Sequence, residues 1–200
     1  SHQRAGKARE KGYLAEEIVP IGELSLDDGI LDKPEESYFA GAKLLFETGE
    51  ATGANTHGVT DGGSALIMAE ARAAGGLKAV GRYVTGAVVG VPPEKMARAS
   101  VAAVQKALKQ ARLSLEDIDI LELNETFASQ LLIDLKELGL PEEKVNVNGG
   151  AIAIGHPWAG SGPRLVMTLL KELRRRGLKR GAAAICVGAG SGIAVIVETV

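Results

Sequence analysis

Apolar positions along the chain alternate between helical and strand-like spacing, and the switches mark the elements. Residues 1–12 are polar, good helix formers, closed by Gly12 as a C-cap. Residues 17–21, with Ile18, Val19 and Ile21 around Pro20, predict a short edge strand. Residues 25–58 are rich in Asp, Glu, Gly and Thr without a sustained period. They read as a surface excursion with one short helix near 35–46. From Asp61 onward the order sharpens. Small residues, Leu and Met predict a helix over 62–74, and a β-branched run predicts a strand over 79–91 that stops at Pro92-Pro93. Pro93 then opens a helix over 93–112, with Met96, Val101, Val104 and Leu108 on one face. A strand over 118–123, a helix over 125–138, a brief strand over 145–147 and a helix over 160–176 follow. Strands over 182–187 and 193–200 complete the pattern. Repeated strand–helix alternation argues an α/β layered domain on a mixed, mostly parallel sheet.

Composition narrows the function classes. The 200 residues are 46% hydrophobic and 24% charged, which excludes a disordered chain. With 23 basic against 25 acidic residues the formal net charge is -2, so nothing electrostatic points to nucleic acid or an anionic membrane. No apolar stretch reaches a membrane span, and no apolar segment follows Ser1-His2-Gln3-Arg4 to make a signal peptide. The single Cys186 excludes an intramolecular disulfide framework and any multi-cysteine metal site. It places the chain in a reducing compartment, most simply cytoplasm. The start at Ser1, without Met, fits a fragment or a processed product.

Chemistry collects in three segments just past the ends of expected strands, where open α/β sheets place their ligands. The first is Asn124-Glu125-Thr126-Phe127-Ala128. The second runs from Asn146 through Gly149-Gly150 to His156-Pro157 and on to Ser161-Gly162. The third is Cys186-Val187-Gly188-Ala189-Gly190-Ser191-Gly192. Each has a plain structural alternative. A lone Cys is most often a small core residue, Asn124 is a natural N-cap, and the glycines suit a tight turn. A lone His is often a cap or a satisfied surface side chain. The coincidence of Asn, His and Cys at strand ends favours a site.

These residues also carry a resemblance. Asn124-Glu125-x-Phe127-Ala128, Asn148-Gly149-Gly150-Ala151-Ile152-Ala153-x-Gly155-His156-Pro157 and Cys186-x-Gly188-x-Gly190-x-Gly192 resemble, in order and spacing, the signatures of the C-terminal half of thiolases. Ser1-His2-x-x-Ala5 is similar to the start of a loop-domain helix of that family, and residues 53–63 to its pantetheine-loop segment. The resemblance implies a thiolase-like α/β layered domain with a mixed five-stranded sheet flanked by helices, preceded by part of a loop domain. It divides the chain into a partial loop domain at 1–58, a helix at 59–75 from the end of the N-terminal domain, and a C-terminal domain at 76–200.

Thiolases make or break a carbon–carbon bond between acyl-CoA thioesters. By that resemblance Cys186 is the acid/base cysteine, and His156 activates the nucleophilic cysteine and holds the thioester oxygen through Nε2. Asn124 positions a water at the same oxygen, and the Gly188 N–H belongs to a second oxyanion hole. His57 and Phe127 are candidate substrate contacts. No cofactor is implied, because coenzyme A is substrate and product. The partners implied are acyl-CoA, CoA and an N-terminal half or partner chain that supplies the nucleophilic cysteine, in a homo-oligomer when complete. The physical logic is independent: an enolate needs fixed donors at its oxygen, and a thiolate can serve as base where its environment permits ionisation.

The sequence departs from the family in three places. The nucleophilic cysteine of the N-terminal half is absent, so this chain alone is expected to be inactive. His57 in Gly53-Ala54-Asn55-Thr56-His57-Gly58 stands where the family has a serine. Trp158-Ala159-Gly160-Ser161-Gly162 replaces x-Gly-x-Ser-Gly after His156-Pro157. Arg174-Arg175-Arg176 with Lys179-Arg180 reads as a solvated cationic helix end rather than a phosphate site. The helix around 161–173 is expected to present an apolar face to the missing half. A non-catalytic subunit binding acyl-CoA or a partner chain is the competing reading, though a pure binder has no use for a base at Cys186.

Overall fold

The computed structural model describes residues 1–74 and 76–200. Gly75, at one expected domain boundary, lies outside the described residues. In chain order the elements are α1 (His2–Glu10), α2 (Glu36–Ala40), β1 (Arg82–Gly90), α3 (Ala99–Ala111) and β2 (Ile120–Leu123). They continue with α4 (Ala128–Leu138), α5 (Ala151–Ile154), α6 (Ser161–Arg176), β3 (Arg180–Val187) and β4 (Ser191–Glu198).

The sheet has four strands in the order β1-β4-β3-β2. Only β2 and β3 run parallel; β4 is antiparallel to both β3 and β1. The expected mostly parallel arrangement fails because β3 and β4 are joined by the short turn Gly188–Gly190, which can connect only antiparallel neighbours. The expected fifth strand shrinks to one parallel bridge between Val145 and Leu121. There the ladder stops because Asn146 turns to positive φ and its side chain takes over, bonding both Leu123 N and Leu123 O at 2.8 Å.

Side-chain alternation along the strands sorts the core into two layers. Leu121, Leu123, Ala182, Ala184, Ala194 and Ile196 pack with Ala103, Val104, Ala107 and Leu108 of α3 and Leu135 of α4. Ile120, Ala183 and Val197 face the other way, onto Leu165, Leu169, Leu170 and Leu173 of α6. A third cluster ties α1 to the body through Ala5, Ala8, Leu14, Ile30 and Ala153. Gly192 lets β4 pass directly under the Ala99 carbonyl, where a Cβ has no room.

Four further expectations change. Residues 62–70 form no helix, and only a single 3-10 turn appears at Ala71–Ala73. Short helices draw their stability from a packed face, and here Ile67 (97% exposed) and Met68 (72%) meet nothing. Residues 17–21 form no strand; Ile21 makes one bridge to Leu24 in an exposed turn. The helix expected over 93–112 splits into a 3-10 segment, Pro93–Arg98, itself interrupted by the non-helical Lys95, and α3. The apolar face of α6 is covered by the sheet rather than exposed. Exposed apolar side chains include Val59, Leu66, Ile67, Met68, Leu77 and Val80.

Candidate active site

The 124–128 segment is positioned from both sides. β2 delivers Asn124, whose N–H extends the parallel ladder to the Ala184 carbonyl at 2.9 Å. Glu125 turns into the body and accepts from Ser1 Oγ (2.8 Å), Ile152 N (3.0 Å) and Asn146 Nδ2 (3.1 Å). Thr126 bends back on Asn124, and Phe127 stays extended where the 55–58 loop lies against it. Thr56 bridges to Phe127, Ala128 N donates to Asn55 O at 2.8 Å, and His57 N donates to Thr126 O at 3.4 Å. This strip delays α4 to Ala128, later than the helix start the sequence predicts at 125.

Asn124 is 1% exposed, and neither polar atom of its side chain has a hydrogen-bond partner among the described residues. A buried amide left open in this way is costly unless something polar completes it.

His156 follows Gly155, which holds φ +83 and where the Thr60 side chain leaves no room for a Cβ. Its N–H donates to Gly58 O at 3.0 Å, so the same loop that flanks Thr126 also fixes His156. On the ring, Nδ1 lies 2.6 Å from Oγ of Ser161, a fully buried residue at the start of α6. Nδ1 is thereby occupied, which leaves Nε2 as the free ring nitrogen. The His57 ring stands against the His156 ring, centroids 4.6 Å apart and planes at 80°. Burial, and secondarily the charges of His57 and Arg164, push the His156 pKa down to about 4. The imidazole is therefore neutral at physiological pH.

Cys186 is buried near the end of β3, paired with Gly192 of β4. It belongs to the alternation that places Ala182 and Ala184 toward α3 and α4. Its sulfur lies 3.2 Å from Thr126 Oγ1. Burial pushes the Cys186 thiol up; the Thr126 hydrogen bond opposes that rise, and the Asp134 carboxyl adds to it. Gly188 opens the following turn with free space at its Cα, while Ala189 and Gly190 carry positive φ. The Gly190 carbonyl accepts from Val91 N at 2.8 Å.

A continuous path of contacts thus joins the sequence candidates: Cys186 to Thr126, Thr126 to His57, and His57 to His156. Phe127 sits half-buried at the N-cap of α4. Thr126 and Ser161 are the two contact residues that sequence reasoning did not single out. Both lie within segments it marked, Ser161 five places after His156. The cavity of ≈ 490 Å³ bounded by Ser1, Arg4, Phe39, Asn55, Glu125 and Leu131 lies beside this path, and its lining includes none of Asn124, His156 and Cys186. Among the described residues no cluster of His, Cys, Asp and Glu is arranged to hold a metal ion, and no helix is long and apolar enough to cross a membrane.

Behind β2, Glu122 is fully buried beneath α6, and burial raises its pKa to about 8 against the opposing charge of Arg164. Neither the Glu122 oxygens nor the three Arg164 guanidinium nitrogens have a hydrogen-bond partner among the described residues.

Comparison with known proteins places the chain as a whole. Residues 77–199 match the family described as "Thiolase, C-terminal domain". The Beta-ketoadipyl-CoA thiolase of Pseudomonas aeruginosa is 43% identical over 213 residues, covering 100% of this chain and 53% of that protein. The 3-oxoadipyl-CoA/3-oxo-5,6-dehydrosuberyl-CoA thiolase of Escherichia coli is 42% identical, covering 100% and 53%. Among solved structures, the Bacillus anthracis acetyl-CoA acetyltransferase superposes with a TM-score of 0.95 at 40% identity, covering 100% of this chain and 54% of that one. Human mitochondrial 3-ketoacyl-CoA thiolase in complex with CoA gives 0.91 at 35% identity, covering 100% and 52%. The chain spans about half the length of the curated relatives it matches.

Proposed function

The chain belongs to the thiolase family, and from that premise we propose that it is the C-terminal half of a thiolase-type acyltransferase, making or cleaving the carbon–carbon bond between acyl-CoA thioesters. The observation that carries this reading is the contact path that joins Cys186 and His156 through Thr126 and His57. In the synthetic direction Cys186, as thiolate, takes the α-proton of an acyl-CoA; in cleavage the thiol returns it. His156 donates from Nε2–H to the thioester oxygen as negative charge develops there, which requires Nδ1 to accept from Ser161. The low pKa of His156 supports a neutral donor in this role. Asn124, with an open buried amide, supplies the group that orients a water at the same oxygen. The N–H of Gly188 serves the second oxyanion, on the acyl group carried by the nucleophilic cysteine. That cysteine comes from an N-terminal half or partner chain, because Cys186 is the only one here.

His57 and Phe127 face the pantetheine arm of CoA in this reading. Residues 1–58 belong to a loop domain, 59–75 to the end of the N-terminal domain, and 76–200 to the C-terminal domain. The exposed Ile67 and Met68 support a packing partner outside this chain. The complete enzyme is cytoplasmic and oligomeric in this reading. The test is thiolysis of acetoacetyl-CoA, followed by loss of its enolate absorbance. The chain alone should show none; mixed with, or fused to, a thiolase N-terminal half it should gain turnover. Failure of every such combination, with both parts folded, would overturn the assignment.

A further inference from the structure

Cys186 is a buried sulfur that, on the proposed reaction, must hold a proton at one moment and release it at another. Burial opposes the charged form. The side chain that meets the sulfur is a hydroxyl, Thr126 Oγ1 at 3.2 Å, and no other side chain among the described residues hydrogen-bonds it. A hydroxyl suits both states: it accepts from S–H, and after rotation it donates to S⁻. Neither a methyl group nor a carboxylate can do both.

Thr126 is also held firmly. Its N–H points to Gln130 Oε1 at 3.1 Å and to Asn124 O at 3.2 Å, while its carbonyl accepts from His57 N. Gln130, itself buried, bonds through Nε2 to Asp134 Oδ2, which also accepts from Ser100 Oγ at 2.6 Å. The hydroxyl is therefore set by a buried network rooted in α3 and α4 rather than by a free loop. Within that network the acidic group facing the sulfur is Asp134. Beyond it lie Glu137 of α4 and Arg98, paired at 2.7 Å.

We propose that Thr126 is a positioning residue for Cys186, its hydroxyl accepting from the thiol and donating to the thiolate while its pinned backbone holds the sulfur where the 124–128 and 55–58 segments meet. The proposal deepens the thiolase reading and rests on it for its catalytic meaning. The hydrogen bond itself is testable without turnover.

The single cysteine makes that test direct, since thiolate absorbance or the rate of iodoacetamide alkylation against pH reports Cys186 alone. Thr126→Val should move the titration midpoint up by about one to two pH units, the size of one hydrogen bond to a charged group. Thr126→Ser should keep the midpoint of the parent chain. Thr126→Ala removes the hydroxyl without added bulk and carries the comparison if the valine variant does not fold. A folded Val or Ala variant that titrates with the parent would overturn the proposal. In the complemented enzyme, Thr126→Val should lower kcat more than it changes KM and shift the alkaline-rising limb of the kcat profile upward. Were Cys186→Ser to retain full turnover, the thiolase reading would fall while the titration result stood.

Discussion

His57 stands edge to face against His156, the two rings crossing at 80° with their centroids 4.6 Å apart. The charge of His57 is one of the influences that keep His156 neutral, after burial and together with Arg164. His57→Ser should therefore raise the midpoint of His156 from about 4 toward its ordinary value, read by NMR titration of the ring protons. The linkage sign follows. The unfolded chain takes up a proton near pH 6.5 that native His156 refuses until about 4, so stability falls as pH drops across that window. In His57→Ser the window narrows from its acid side, and less stability is lost on acidification.

Catalytic variants of the complemented enzyme should separate by step. Cys186→Ser should depress turnover strongly while acylation of the nucleophilic cysteine survives in part, because a serine is a far poorer base. His156→Ala should impair both steps. Asn124→Ala should cost about 10²-fold in kcat, the effect of one oxyanion donor. Burst-phase and steady-state thiolysis measure the two steps apart, and full activity in Cys186→Ser would remove that residue from the mechanism.

Glu122 gives a prediction on stability instead. Its buried carboxyl holds a proton up to about pH 8, whereas the unfolded chain releases it near 4.5. Between those values the native state binds the extra proton, so stability declines as pH rises, by about 1.4 kcal/mol per unit at most. Glu122→Gln keeps the shape without the titration. Its advantage in urea midpoint over the parent chain should be small at pH 5 and grow steadily toward pH 8. A constant difference across that range would show that Glu122 does not titrate there.

Much of the fold was legible because its signals are local. The spacing of Val101, Val104 and Leu108 along α3 and the β-branched run of β1 that stops before Pro92-Pro93 each lie within a single window of sequence. What escaped depends on partners distant in sequence. The composition of residues 62–70 favours a helix, yet no apolar surface among the described residues receives one. Val145 looks like a strand residue, but the Asn146 side chain caps β2 instead of the backbone continuing beside it. The same division holds at the site. Asn124, His156 and Cys186 stand out by residue type and position at strand ends. By contrast, the Thr126–Cys186 contact spans 60 positions, and the ring contact of His57 with His156 depends on a loop without any period.

The placement of β4 inside the sheet governs the order in which the molecule can assemble. Among the described residues β1 has no strand neighbour except β4, and everything from α3 to β3 lies between the two in sequence. Long-range pairings of this kind form slowly, after the local ones. Residues 82–90 therefore wait, unpaired, until residues 191–198 arrive and zip against them. The docking that seats β1 also brings Val91 N to the Gly190 carbonyl in the turn after Cys186. A chain caught before that event has the β3–β4 hairpin but lacks the Val91–Gly190 bond and Ala87 of the core layer, so the sheet edge and the anchoring of the turn after Cys186 mature in a single late step.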